Sequence, residues 1–226
     1  MAVNYQNRIV RDGLVLCLDA ADRKSYPGSG TTWFDRSGNG SHGILSNGPT
    51  FDSTNGGSII FDGTNDYVDL TSLDSSLFNT EATLIVWLKL DLNQPEIYDS
   101  GIFGFTTNTT YYSHYTYGAL AYFDTFRSTR IDNISLSSLD KSTPHMLSIT
   151  TKGGGSWKLY QNTNVVFTTA AQSTVSMGNK YLGVKNPSDL TFVFKGKFYK
   201  FCLYNKELSS AEIQQNFNAT RGRFGI

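Results

Sequence analysis

Residues 82–90 are apolar at every alternate position and at two of the four between, and this restricts the fold more than any other stretch. Ala82, Leu84, Val86, Leu88 and Leu90 share one face by the two-residue period of a strand, while Ile85 and Trp87 lie on the other. A strand that is apolar on both faces must be covered on both, so it belongs in the middle of a sheet. Shorter apolar or alternating stretches recur between Gly, Asn, Ser and Asp punctuation. They fall at 14–18, 58–61, 67–70, 101–105, 117–123, 129–134, 145–151, 157–161, 164–168, 180–184, 191–194 and 197–204. The turn Asp62-Gly63-Thr64-Asn65-Asp66 between two of them reads as a hairpin. Lys152-Gly153-Gly154-Gly155-Ser156 reads as a flexible turn joining two others.

The pattern predicts an all-β chain: an antiparallel two-sheet β-sandwich with one short C-terminal helix. A hydrophobic fraction of 39% suffices when most strands bury one face only, and 21 Gly against 5 Pro supplies tight turns. The helix announces itself in Leu208-Ser209-Ser210-Ala211-Glu212-Ile213. Ser209 is the N-cap and Glu212 the third helical residue of a capping box, with Leu208 and Ile213 placed as a hydrophobic staple. Ile213 and Phe217 can dock one side of the helix on the sandwich, and Gly222 reads as its stop. No linker-like change of composition divides residues 1–226, so a single domain is expected.

Charge excludes some partners. The chain carries 19 basic and 19 acidic residues without a long run of either, which leaves no electrostatic footprint for nucleic acid or an anionic membrane. No apolar run approaches a membrane span, so no membrane insertion is expected. The start, Met-Ala-Val-Asn-Tyr-Gln-Asn-Arg, is no signal peptide, and synthesis in the cytoplasm follows as the expectation. Cys17 and Cys202 lack metal-ligand spacing. They can pair only if the first and last long strands are neighbours, and free thiols are the expectation.

Five motifs in order carry a family resemblance. They are Asp12-Gly13-Leu14-Val15-Leu16-Cys17-Leu18-Asp19-Ala20-Ala21, Ser25-Tyr26-Pro27-Gly28-Ser29-Gly30-Thr31-Thr32-Trp33 and Asp35-Arg36-Ser37-Gly38-Asn39-Gly40. Phe61-Asp62-Gly63-Thr64-Asn65-Asp66-Tyr67-Val68 and Leu203-Tyr204-Asn205-Lys206-Glu207-Leu208-Ser209-Ser210-Ala211-Glu212-Ile213 complete the series, and the likeness they carry spans about residues 10–222, the expected core of the domain. Together they resemble the LamG-like, concanavalin A-like lectin/glucanase superfamily, and most of all its single-domain members from tailed bacteriophages. The resemblance implies a lectin-like jelly roll but no particular ligand, since this fold hosts binding modules and enzymes alike. Within the motifs Asp35, Ser37 and Asn39 read as bonding local backbone, and Trp33 as a lid on one end of the core.

No catalytic residue is assigned. The family's hydrolytic pattern, Glu-x-Asp-x-x-Glu, is missing, because Glu81, Glu96, Glu207 and Glu212 are scattered. The lyase pattern Gln-x-His is missing as well. The richest binding candidate is the segment holding Tyr111, Tyr112, His114, Tyr115 and Tyr117. Its rings suit stacking on a sugar, contact with another subunit or virion protein, or packing within the chain. Asp62, Asn65, Asp66 and Asp69 form an oxygen-rich cluster that could hold calcium, although the same side chains can simply bond their own turns. No other cofactor is expected.

These readings converge on a non-enzymatic, virion-associated protein of a tailed phage. It would decorate capsid or tail at the virion surface, contact other virion proteins and copies of itself, and bind glycans or other surfaces. The rival expectations are a carbohydrate-active enzyme of the same fold and a purely structural interaction module.

Overall fold

The computed structural model describes residues 8–74, 76, 81–91, 102–104, 120–123, 131–135, 143–171 and 180–226. Along them run β1 (Leu14–Asp19), β2 (Thr32–Trp33), β3 (Gly43–Ser46), β4 (Thr50–Asp52), β5 (Ser58–Asp62) and β6 (Tyr67–Asp69). The middle supplies β7 (Glu81–Leu90), β8 (Phe103–Gly104), β9 (Leu120–Phe123), β10 (Ile131–Ser135), β11 (His145–Lys152), β12 (Ser156–Gln161) and β13 (Asn164–Ala171). Then come β14 (Tyr181–Leu182), β15 (Val184–Asn186), β16 (Asp189–Val193), β17 (Lys195–Tyr204) and helix α1 (Ser210–Asn218). The expected strands are present, and β2, β3, β4 and β15 are additions too short or too polar for the period to reveal.

Every pairing between strands among the described residues is antiparallel. An eight-stranded sheet has the order β13-β12-β11-β7-β17-β5-β4, with β1 also on β17. β1 and β5 occupy successive stretches of the same edge of β17, because its other edge is held by β7. A five-stranded sheet has the order β2-β3-β6-β14-β8. Two pairs, β9 with β10 and β15 with β16, stand apart from both.

The β7 expectation holds on both faces. Ala82, Leu84, Val86, Leu88 and Leu90 enter the core between the sheets, where they meet Trp33, Leu45, Val68 and Leu182 of the smaller one. Ile85 and Trp87 face outward and are buried too, in a second cluster with Met146, Tyr204, Leu208 and Ile213. Trp33 lies fully inside the main core, deeper than a lid.

That second cluster is covered by the C-terminus. Ser209 and Glu212 form the reciprocal capping box, and Leu208 and Ile213 are both buried beneath it. Phe217 of α1 and Phe224 stack on Trp87, with ring centroids 5.6 and 4.7 Å away. Gly222 is not the stop. The helix ends at Asn218 with Ala219 as C-cap, and Gly222 lies within a 3-10 turn, Arg221–Phe224, that continues the cover.

The supposed hairpin around residues 62–66 is a correction. β5 pairs with β4 and β17 in the large sheet, whereas β6 pairs with β3 and β14 in the small one. The segment therefore carries the chain across from one sheet to the other. Ile59 and Phe61 reach the core from one side and Val68 and Leu70 from the other, which a flat hairpin could not arrange.

Candidate functional site

Asp35-Arg36-Ser37-Gly38-Asn39-Gly40 bonds backbone, as expected, but much of that backbone is remote in sequence. The free edge of β1 is its target. Asp35 Oδ1 accepts from Cys17 N at 2.9 Å, Arg36 N donates to Cys17 O at 2.8 Å, and Ser37 Oγ and Asn39 Nδ2 both donate to Val15 O at 3.0 Å. An edge that would otherwise offer unpaired N–H and C=O groups is closed by a loop.

Against this edge, on the outward face of the large sheet, lies a cleft of about 320 Å³. Its floor is Cys17 and Asp19 of β1 and Lys200 of β17. Lys200 reaches it through a β-bulge, because the register slips between Phe198 and Lys200. Phe198 and Phe201 therefore both enter the core, while Tyr199 joins the outward cluster and Lys200 turns into the cleft beside it. Its walls are Arg8, Ile9 and Arg11 of the N-terminal segment, Asp22 and Arg36 of the loops, and Ala219 at the end of α1.

The N-terminal segment is fastened to the helix. Asn216 Oδ1 accepts from Val10 N at 3.0 Å, Gln215 Nε2 donates to Arg8 O at 3.0 Å, and the buried Tyr204 hydroxyl sits 3.1 Å from Val10 O. Burial raises the pKa of that phenol, so it stays a neutral donor.

Charge in and around the cleft is paired unevenly. Asp19 carries two cations, Lys200 at 3.2 Å and Arg223 at 2.8 Å. Asp22 holds Arg36 at 2.8 Å. Among the described residues Arg11 donates only to a backbone carbonyl, that of Arg36, at 3.2 Å. Burial works against the Lys200 ammonium, but the neighbouring Cys202, Asp19 and Cys17 outweigh it and leave the pKa raised. With a side chain 11% exposed, Lys200 is a held cation rather than a base. Nothing in the sequence period flags Lys200, Asp19, Asp22 or Arg36. An isolated lysine in the otherwise apolar stretch Phe198 to Tyr204 was the available signal.

The tyrosine-rich candidates Tyr111, Tyr112, His114, Tyr115 and Tyr117 lie outside the described residues. Their flanks do not. Among the described residues β8 is the last strand of the five-stranded sheet, and β9 pairs only with β10.

The four oxygen-bearing residues of the sheet-to-sheet corner are engaged in turns. Asp62 Oδ1 accepts from Thr64 N at 2.7 Å, Asp66 Oδ2 from Asp62 N at 2.9 Å, and Asp69 Oδ1 from Thr71 N at 2.7 Å. Asn65 uses its backbone carbonyl to accept from Asn47. Burial, with the charge of Asp62, raises the pKa of the Asp66 carboxyl above its ordinary range against the opposing Asp62 N–H. Among the described residues, no three His, Cys, Asp or Glu side chains gather as a metal site would need. No helix among them is long and apolar enough to cross a membrane.

Residues 62–214 match the family model of the concanavalin A-like lectin/glucanases superfamily, Laminin_G_3. No curated protein matches the chain. Several solved structures share the fold at low identity. Domain 4 of AbnA, a GH43 extracellular arabinanase from Geobacillus stearothermophilus in complex with arabinotriose, superposes with a TM-score of 0.68 at 15% identity. The match covers 90% of this chain and 97% of that one. A Trypanosoma rangeli sialidase in complex with sialic acid gives 0.68 at 13% identity, over 93% of this chain but only 33% of the sialidase. The receptor binding domain of a botulinum neurotoxin C/D mosaic serotype gives 0.64 at 14%, covering 92% of this chain and 51% of that domain. The likeness is one of fold.

Proposed function

The chain belongs to the concanavalin A-like lectin/glucanases superfamily, and from that premise we propose that it is a non-catalytic module that binds glycan-bearing surfaces. The observation that carries this is the state of the cleft. Its carboxylates, Asp19 and Asp22, are both held in ion pairs, and its lysine is held as a cation. A glycosidase needs one carboxyl kept as an acid and another as nucleophile or base, and neither role suits a carboxylate clamped by guanidinium. The same groups suit recognition, because a sugar's hydroxyls donate and accept in turn and here meet both carboxylates and cations. A volume of about 320 Å³ accommodates one or two sugar rings.

Among the described residues the cleft lining holds no aromatic ring, so stacking has to come from elsewhere. In this proposal Tyr111, Tyr112, His114, Tyr115 and Tyr117 supply it. Support from relatives is of one kind only: the shared fold occurs as a domain of an arabinanase and in a toxin's receptor binding domain. The order of the sequence motifs adds the finer reading. That reading, also proposed here, is a protein on the particle of a tailed phage, decorating capsid or tail among other virion proteins and copies of itself, without a cofactor.

A glycan array probed with the full chain tests the binding. Arg36→Ala and Arg11→Ala, at exposed positions, are expected to weaken a hit about tenfold each. A blank array would leave the structural-module reading standing, and release of reducing ends or unsaturated products from polysaccharides would replace the proposal with the enzymatic one. Peptide mapping of purified particles tests the virion placement, and particles free of this chain would end it.

A further inference from the structure

We propose that Cys17 and Cys202 form a built thiol pair that closes to a disulfide on exposure to a low-molecular-weight disulfide, bolting β1 to β17. Cys17 and Cys202 stand directly opposite each other in the β1–β17 ladder, with their sulfurs 3.4 Å apart and both side chains buried.

The backbone shows which kind of pair they are. Cys17 N donates to Asp35 Oδ1 and Cys17 O accepts from Arg36 N, so both groups point away from β17. In an antiparallel ladder the N–H and C=O of one residue point to the same side. Cys17 and Cys202 are therefore a non-hydrogen-bonded pair, whose Cα atoms lie about 4.5 Å apart with side chains close. A disulfide spans Cα separations from about 4.4 Å upward, so the sulfurs reach bonding distance by small side-chain rotations.

Chemistry and access agree on which sulfur reacts first. The Cys202 thiol donates to Cys17 and Lys200 lies nearby, and together these lower the pKa of Cys17 despite its burial. The same hydrogen bond, reinforced by complete burial, raises that of Cys202. Cys17 lines the cleft, so an entering reagent meets it before Cys202. In the first step the Cys17 thiolate attacks one sulfur of R–S–S–R; that bond breaks, one thiolate leaves, and a mixed disulfide remains on Cys17. In the second, Cys202 loses its proton to solvent and attacks the Cys17 sulfur, releasing the other thiolate. The protein is oxidised by two electrons and the reagent is reduced by two, to two thiols.

The bond would close a loop of nearly the whole chain, the case in which a disulfide constrains the unfolded state most. The test uses the native full chain incubated with oxidised glutathione. The expected result is a peptide joining Cys17 to Cys202, an intact mass lower by two hydrogens, and a melting midpoint raised by on the order of 5–10 °C. Dithiothreitol should reverse all three. Under the same conditions Cys202→Ser should carry glutathione on Cys17, and Cys17→Ser should leave Cys202 unmodified. Native protein that gives no joined peptide, where the urea-unfolded chain does, would overturn the proposal. So would a joined peptide with an unchanged or lower midpoint, or glutathione found on Cys202 of Cys17→Ser. The wild-type measurement stands even if neither variant folds.

Discussion

Along β17, Phe198, Phe201 and Leu203 turn toward the five-stranded sheet, whereas Tyr199, Lys200 and Cys202 turn outward beneath the N-terminal segment and the C-terminal helix. The inward face meets a whole sheet and is apolar from end to end. The outward face meets a short N-terminal segment, one nine-residue helix and a short turn, which are too small to cover it. Where the cover ends, paired charges take over: Lys200, Asp19 and Arg223, with Arg36 and Asp22 at the rim. One strand thus serves a core on one side and a polar cleft on the other, and the bulge at Tyr199 is the device that separates them.

The largest effect should come from the inward face. Phe198 is fully buried between Phe61 and Phe194, at 4.8 and 4.4 Å between centroids. Phe198→Ala is expected to cost about 3–5 kcal/mol in urea unfolding. A loss below about 1 kcal/mol would mean that the two faces are not so unlike. On the outward face, Asp19→Asn strips the shared counter-charge from Lys200 and Arg223, whose side chains are 11% and 18% exposed. The expected loss is about 2–3 kcal/mol, less than for a fully buried pair because water reaches the cleft. A neutral result would show that the cleft floor is held by packing rather than by charge.

Smaller again is the helix that divides the outward face. Ser209→Ala removes the side-chain acceptor for Glu212 N and should cost about 1 kcal/mol. Its readout is looser packing of Phe217 and Phe224 on Trp87, seen as a change in tryptophan fluorescence. If fluorescence stays fixed while stability falls, the aromatic cover is set by the 3-10 turn and not by the cap.

What the sequence disclosed follows the same division. The two apolar faces of β7 were legible because alternation is a local property that tertiary packing did not override. The capping box was legible because all its partners lie within four residues. The bulge was not, since a two-residue period would put Phe198 and Lys200 on one face. The role of Asp35, Ser37 and Asn39 was half legible. Their habit of bonding backbone could be read, but not that β1, some 18 to 25 residues away, is the backbone bonded. The cleft escaped for the same reason, because its floor joins residues 17 and 19 to residue 200. The corner at 62–66 was misread because a sheet-to-sheet crossing uses the same Asp, Gly and Asn turn chemistry as a hairpin.

Two carboxylates, one on the large sheet and one at the corner between the sheets, should respond to acid in opposite directions. Asp52 on β4 is paired with Lys197 and accepts from Thr54, which holds its pKa down at about 2 against an ordinary 3.8. A depressed carboxyl stabilises the fold above its unfolded pKa, and that contribution disappears as pH falls from about 4 through about 2. Asp52→Asn should flatten the acid limb of a stability–pH curve in that window. An unchanged limb would place the acid sensitivity elsewhere.

Asp66, buried at the corner, has the reverse sign. Its folded-state pKa is raised, so the folded state holds a proton the unfolded chain would release, and stability falls as rising pH ionises it. Asp66→Asn keeps an oxygen to accept from Asp62 N and removes the buried charge, so at neutral pH its melting midpoint should equal or slightly exceed that of the wild type. With Asp62, Asp66 and Asp69 each already bonded to a backbone N–H, millimolar calcium is expected to move neither midpoint. A rise with calcium in the wild type that vanishes in Asp66→Asn would instead make the corner a cation site, with the buried carboxylate its ligand rather than a strut between the sheets.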